Sequence, residues 1–188
     1  MSQQRRQTPY IFAEEEIDLL MQHALRLGPK GSLRPHTYTT FFGLLATTGM
    51  RVGEALSLKV EDFRDGVLLI RKTKFHKSRL IPLHLTAREA LADYLRRRSL
   101  VTTCDPHIFL STRCRRLSYA STIETFHKVC EAAGLPRQPG SWCLRQHDLR
   151  HTFAVRALES APDGRDQITQ HMLALTTHRP RNFWNRHR

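Results

Sequence analysis

Hydrophobic residues along most of the chain recur at the spacing of an α-helix. In the segment 13–28, apolar side chains fall at i, i+3, i+4, i+7 and i+8 and make one helix face: Ile17, Leu20, Met21, Ala24 and Leu25. Three glutamates in the first turn suit the positive end of the helix dipole. The segment 37–49 is so apolar that it is predicted to be a helix inside the core.

Capping patterns and glycines predict where the later helices begin and end. Two capping boxes, Thr86 with Glu89 and Ser121 with Glu124, predict the starts of two helices, and Gly134 is expected to end the second. A short helix is predicted after the turn at 49–51. A last helix is predicted over 147–158, with this apolar face toward the core: Leu149, Phe153, Ala154 and Ala157.

Strand patterns are confined to a short region in the middle of the chain. Residues 67–70 and 80–83 predict the two arms of a hairpin, with Lys74 and Lys77 near the tip of its polar loop. The stretch 107–110 is typical of a short strand or sheet edge. Together these patterns predict an α+β fold that is mainly helical, with a small antiparallel hairpin sheet.

The composition is that of one soluble globular domain. A chain of 188 residues that is 40% hydrophobic can bury a core of its own. No apolar run approaches the roughly 20 residues of a membrane span, and the polar first residues lack the core of a secretion signal. These features favour a cytoplasmic protein without a membrane partner.

Charge narrows the class of partner. Lys and Arg number 30 against 17 Asp and Glu, which gives a formal net charge of +13. Such a charge favours a polyanion, and nucleic acid is the usual one. A basic surface that only aids solubility, or one that binds RNA or an acidic protein, stays open as an alternative.

Cysteine and histidine spacing argues against a metal site. The four cysteines form no CxxC pair, and the eleven histidines lack HExxH-type spacing. We interpret the cysteines as reduced and mostly packed thiols: Cys104, Cys114, Cys130 and Cys143.

Four residues, scattered along the chain, match what chemistry at a phosphodiester requires. Its transition state gathers negative charge that fixed guanidinium groups complement, and a proton must reach the leaving oxygen. His147 and Arg150 lie one turn apart at the start of the last predicted helix, where free N–H groups also favour an anion. Arg51 follows a glycine turn, and Lys74 lies in the hairpin loop.

Each of these residues also has a purely structural explanation. Asp148 could simply cap the last helix, and Arg150 could pair with a nearby carboxylate. Arg51 could be a surface arginine on a turn. Lys74 and Lys77 could be ordinary hairpin-tip charges that protect a sheet edge from aggregation.

Three motifs in a fixed order favour the functional explanation. They read TGMRVGEALSL, then IRKTKFHKSRLIPLH, then HDLRHTFA, on a turn, a hairpin and a helix. The ordered set resembles the catalytic domain of the tyrosine recombinases, or phage-type integrases. The resemblance implies a catalytic domain over 11–177, a polar lead-in over 1–10, an atypical basic tail over 178–188, and no N-terminal core-binding domain.

The resemblance also implies a role for each matching residue. Arg51 and Arg150 would clamp the scissile phosphate, Lys74 would protonate the 5′-hydroxyl leaving group, and His147 would hydrogen-bond the phosphate or assist proton transfer. Glu54 would support the helix that follows Arg51. The residues expected to touch the DNA backbone or shape the loop are Lys77 and Arg79.

The resemblance implies double-stranded DNA as the partner, a homo-oligomer on that DNA, and a place in the bacterial cytoplasm or nucleoid. They need no metal and no nucleotide cofactor, and a small-molecule substrate is not expected. Strand transfer in the family passes through a covalent 3′-phosphotyrosine, which preserves the bond energy for religation.

The C-terminal part of the chain departs from this pattern. Similar proteins carry Tyr-Leu-Gly-His and then the tyrosine nucleophile, whereas this chain reads HRPRNFWNRHR over 178–188, with His178 a weak candidate for a site histidine. All four tyrosines precede His147: Tyr10, Tyr38, Tyr94 and Tyr119. We therefore expect an integrase domain that is inactive in this chain, with a tail typical of a disrupted gene. The alternative is a dead DNA-binding remnant that competes for sites.

Overall fold

The computed structural model describes residues 8–71, 78–135 and 144–159. Within these ranges the chain forms six α-helices: α1 Glu14–Leu25, α2 Arg34–Thr48, α3 Val52–Ser57, α4 Leu85–Ser99, α5 Tyr119–Ala132 and α6 Gln146–Glu159. It also forms three strands: β1 Phe63–Arg64, β2 Val67–Ile70 and β3 Arg79–Pro82. The predicted class, a mainly helical domain with a small antiparallel sheet, is confirmed.

The sheet has the strand order β1-β2-β3, and both pairings are antiparallel. The predicted hairpin is present, with Ile70 opposite Arg79 and Val67 opposite Pro82. Strand β1 was not predicted, because two residues are too few to produce an alternating pattern. The turn from β1 to β2 passes through Asp65 and Gly66, both in the left-handed region.

Both predicted capping boxes are wrong about where the helices start. Helix α4 begins at Leu85, and the His84 side chain accepts a hydrogen bond from the Thr86 N–H. Helix α5 is capped by Ser118, whose hydroxyl accepts from the Ser121 N–H. In each case an earlier side chain accepts one free N–H of the first turn, so the predicted box lies inside the helix.

The end of α5 follows the prediction closely. Gly134 lies just beyond the helix with φ of 65°, and the Leu135 N–H returns to the Cys130 carbonyl. A residue without a Cβ adopts this left-handed conformation at little cost, which explains why the helix ends here.

Helix α2 forms the centre of the core, as its apolar sequence predicts. It packs against α1, α4 and α6, and Phe41 and Phe42 on it are fully buried. Phe41 meets Phe109 edge to face and Phe42 meets Phe126 in the same way, with ring centroids 5.2 and 5.3 Å apart. These aromatic contacts pack α2 against α5 and against the segment 107–110.

The core side of α6 differs in part from the predicted face. Leu149, Phe153 and Ala157 are buried as expected, but Ala154 is exposed. Ala154 lies one turn beyond the partly exposed Arg150, so the helical period carries it toward solvent. The buried side of α6 also carries polar residues. One of them is Thr152, whose Oγ1 accepts a hydrogen bond from the Phe12 N–H at 2.9 Å.

Three of the four cysteines lie in the described residues. Cys130 is buried, Cys114 is partly exposed and Cys104 is exposed, so the expectation of mostly packed thiols holds for Cys130 alone. Cys143 lies outside the described residues. Within the described ranges, no helix combines the length and the apolar character needed to cross a membrane.

Candidate phosphodiester-binding site

Arg51 stands at the junction between the core helix and the short helix α3. Helix α2 ends at Gly49, whose φ of 59° reverses the chain direction, and Arg51 is the N-cap of α3. The Arg51 N–H donates to Glu54 Oε2 at 2.9 Å, and its guanidinium Nη1 donates to Glu54 Oε1 at 3.1 Å. The return of a glutamate at the third position to the N-cap is half of a capping box, so the local sequence itself places Glu54 here.

Glu54 also binds a second guanidinium. Arg79, the first residue of β3, donates from Nη2 to Glu54 Oε2 at 2.8 Å. Burial alone would raise the pKa of Glu54, but the Arg51 N–H and the charges of Arg79 and Arg51 lower it below its usual value. The carboxylate therefore stays ionised, and it accepts the Arg51 N–H at the start of α3.

Arg150 reaches the same place from α6. Its guanidinium donates a hydrogen bond to the carbonyl of Gly49. The pKa of Arg150 is lowered by burial and then by the positive charges of Arg51 and Arg79, while Glu54 opposes this effect. The charges of three guanidinium groups thus act on one another, and among the described residues Glu54 is the carboxylate that opposes them, which leaves two excess positive charges. Such an arrangement suits an anion with oxygens on several sides.

His147 lies one turn before Arg150, on the exposed side of the start of α6. The pKa of His147 is lowered by burial and by the nearby charges of His151, Arg150 and Arg145, against the opposing effect of Asp148. Its ring lies 5.7 Å from the His151 ring, measured between centroids. At neutral pH the imidazole is uncharged, so it can donate one hydrogen bond without adding a positive charge.

The purely structural explanation fits Asp148 but does not fit Arg150. Asp148 is buried and does cap α6, since its carboxylate accepts from the Arg145 N–H at 2.8 Å and from the Arg145 guanidinium at 3.0 Å. Arg150 forms no ion pair with a carboxylate among the described residues, and its hydrogen bond goes to a carbonyl instead. Within the HDLRHTFA motif, Asp148 therefore caps the helix, whereas Arg150 belongs to the candidate anion site.

Three of the predicted site residues lie outside the described residues: Lys74, Lys77 and His178. The structure brings together Arg51, Glu54, Arg79 and Arg150, with His147 beside Arg150. The sequence reasoning missed the Gly49 carbonyl and the partner of Arg79, since neither a backbone acceptor nor a cross-strand pairing leaves a local signal. Among the described residues, no group of three or more His, Cys, Asp or Glu side chains could hold a metal ion.

Comparison with known proteins points to one family. The model of the phage integrase family matches residues 11–175 of this chain. The integrase/recombinase named y4rB of Sinorhizobium fredii is 39% identical over 162 residues, which is 82% of this chain but 52% of that protein. The chain thus spans about half the length of this relative.

Two solved structures share the fold. The crystal structure of XerA recombinase matches with a TM-score of 0.70 and 24% identity, covering 94% of this chain and 61% of that one. A lambda integrase dimer bound to a COC′ core site matches with a TM-score of 0.63 and 22% identity, covering 90% and 59%. At these identities the likeness establishes the architecture of the domain.

Proposed function

We propose, since this chain belongs to the phage integrase family, that it binds duplex DNA and holds one backbone phosphodiester between Arg51 and Arg150. The observation that carries this proposal is that Arg150 is hydrogen-bonded two residues from Arg51, close enough for the charge of Arg51 to lower the pKa of Arg150. The Arg150 guanidinium contacts the Gly49 carbonyl, 101 positions earlier in the chain and two residues before Arg51. Two positive charges held close together repel each other, so arginines that served only solubility would be expected to lie apart.

The chemistry follows from the charges at this site. Two guanidinium groups would bind the non-bridging oxygens, where negative charge grows as a nucleophile attacks phosphorus. His147, neutral and one turn from Arg150, would donate a further hydrogen bond to the same phosphate. By resemblance to the family, Lys74 would give its proton to the departing 5′-oxygen as the tyrosine oxygen bonds to phosphorus.

Strand transfer requires a tyrosine nucleophile, whereas DNA binding does not. Tyr38 and Tyr94 are 4% and 1% exposed, and the Tyr94 hydroxyl donates to the Ile108 carbonyl at 3.0 Å. The Tyr10 hydroxyl donates to Glu16, and burial together with that carboxylate raises the pKa of Tyr10 to about 12. Tyr119 is exposed at the start of α5. These placements support the proposal that the 188 residues alone bind DNA and do not cleave it.

The test of strand transfer is a nicked suicide substrate. We expect no covalent protein–DNA adduct after denaturing electrophoresis, because no tyrosine follows the HDLRHTFA motif. An adduct formed by the chain, and abolished by Tyr119→Phe, would overturn the proposed inactivity. An adduct that persists in that variant would also do so and would assign the nucleophile to another residue.

The test of DNA binding is an anisotropy titration of a labelled duplex over a range of salt concentrations. We expect the logarithm of the binding constant to fall linearly with the logarithm of the salt concentration, by roughly 0.9 per phosphate contact. A shallow dependence would contradict binding through the backbone phosphates. We also propose self-association on the duplex, since the lambda integrase structure is that of a dimer on its core site. Sedimentation with and without duplex checks it.

A further inference from the structure

The two oxygens of the Glu54 carboxylate are unequally shared between the arginines. Oε2 accepts the Arg51 N–H at 2.9 Å and the Arg79 Nη2 at 2.8 Å. Oε1 accepts the Arg51 Nη1 at 3.1 Å. Arg51 therefore makes a one-point contact between guanidinium and carboxylate, although the side chains of these residues could form a two-point pair.

The unequal sharing of the Glu54 oxygens follows from the energetic cost of a buried charge. The Glu54 side chain is only 9% exposed, so its charge needs close cationic partners. An arginine and a carboxylate left to themselves favour a fork with two parallel hydrogen bonds. Arg79 occupies the second oxygen, together with the Arg51 N–H, and the Arg51 side chain stays 43% exposed.

The position of Arg79 is set by the sheet and not by the site itself. Arg79 opens β3 and lies opposite Ile70 of β2, which is buried. The strand pairing thus holds a fixed positive charge against Glu54 before any ligand arrives. The Arg79 side chain itself is 39% exposed, so it is only partly accessible to solvent.

We propose that Arg79 is a positioning residue for Arg51. By neutralising Glu54 at Oε2, Arg79 prevents Glu54 from drawing Arg51 into a two-point ion pair. The other N–H groups of the Arg51 guanidinium then remain available for a phosphodiester oxygen. This inference rests on the proposed function, in which Arg51 binds a DNA phosphate, and it replaces the expectation that Arg79 touches DNA directly.

The test is a double-mutant cycle between Arg79 and Glu54, measured by anisotropy with a fluorescently labelled DNA duplex. Arg79→Ala in the otherwise unchanged chain is expected to weaken binding about tenfold, because Glu54 then captures Arg51. In the Glu54→Gln background the same substitution should change affinity by less than about twofold, since a neutral amide does not compete for a guanidinium. Arg79→Lys keeps the charge at Oε2 and should retain most of the affinity.

Arg64→Ala is the matched control. Arg64 is an exposed arginine on β1 of the same sheet, so its loss reports what one missing positive charge does at a distance. The decisive result is rescue, in which the double variant of Glu54 and Arg79 binds more tightly than Arg79→Ala alone. Because Glu54→Gln also removes the cost of a buried carboxylate that has lost a partner, binding is compared only at a temperature where thermal unfolding shows every variant to be folded. If Arg79→Ala does not show a cooperative thermal transition, Arg79→Gln replaces it with the same expectation.

Two other outcomes overturn the inference in different ways. Equal losses on Arg79→Ala in both backgrounds, with a salt slope smaller by about one phosphate contact, would make Arg79 a direct DNA contact. In that case the proposed function stands, provided that Arg51→Ala still weakens binding. An affinity unchanged by Arg51→Ala would overturn the proposed function itself and the positioning role with it.

Discussion

The guanidinium of Arg150 is hydrogen-bonded to the backbone carbonyl of Gly49, so α6 is tied to the turn from which Arg51 extends. Gly49 is also the residue at which α2 ends in a left-handed conformation, with φ of 59°. One backbone position thus ends the central core helix, orients one arginine and accepts a hydrogen bond from another. The candidate site is built on the packing of α2 against α6.

Gly49→Ala should destabilise the protein. A Cβ at Gly49 would overlap the ring of Phe153, and the left-handed backbone would be strained as well. We expect the free energy of unfolding to fall by about 2–4 kcal/mol, as strain and overpacking combine. Urea denaturation followed by circular dichroism measures this loss.

Gly53→Ala provides the matched control for that substitution. Gly53 lies inside α3, and a Cβ there would meet nothing within 4 Å. Alanine favours a helix over glycine by about 0.5–1 kcal/mol, so this variant should be unchanged or slightly more stable. Equal destabilisation of the two variants would show that the close approach of Gly49 to Phe153 is not what matters.

Arg150→Ala should weaken DNA binding far more than it weakens the fold. The loss of one hydrogen bond to the Gly49 carbonyl costs about 1 kcal/mol of stability, which moves the melting temperature by about 2–4 °C. The loss of an arginine that contacts a phosphate should cost about 1–3 kcal/mol of binding free energy. Anisotropy and thermal unfolding of the same samples separate the two effects. Loss of the cooperative transition would favour a structural role for Arg150.

DNA binding should become tighter as the pH falls, because of His147. Burial, followed by the charges of His151 and Arg150, holds the pKa of His147 below its usual 6.5 in the free protein. A phosphate beside the ring would raise that pKa in the complex, so binding takes up a proton. Affinity should therefore increase as the pH falls from the pKa of the complex to the pKa of the free protein, and then level off.

His147→Gln should remove this pH dependence while keeping a hydrogen-bond donor at the site. His127→Gln on α5 is the control, since it removes a partly exposed histidine from another helix. A pH profile that is the same in wild type and His147→Gln would contradict a contact between His147 and the phosphate. A profile that instead changed with His127 would point to another part of the surface.

Glu54→Gln should lower stability in a pH-dependent way. The pKa of Glu54 is depressed below its usual 4.5 in the folded protein, so the charged form stabilises the fold. The contribution is fully present above pH 4.5 and is lost as the pH falls through the folded-state pKa. We expect a stability difference of about 1–3 kcal/mol near neutral pH that narrows in acid, measured by urea denaturation at several pH values. A difference that does not vary with pH would contradict an ionised Glu54.

Local features of the chain were predictable from the sequence, because their causes are local. The apolar spacing in α1 and α2, the hairpin arms around the polar loop, and Gly134 after α5 each depend on residues a few positions apart. The order of the three motifs also lies in the sequence itself, and it predicts the family that the comparisons bear out. Helix starts were harder to predict, because serine and histidine side chains just before α5 and α4 compete with the predicted caps.

The tertiary structure alone decided which groups meet. Arg79 contacts Glu54 across 25 positions of the chain, and no pattern of residues in either segment encodes that contact. Arg150 reaches the Gly49 carbonyl because α6 packs on α2. Every residue carries a backbone carbonyl, so the sequence does not indicate which one accepts this hydrogen bond. Sequence determined the elements and the chemical types at the site. Long-range packing determined the charge balance among them, since electrostatic energy depends on separation in space and not along the chain.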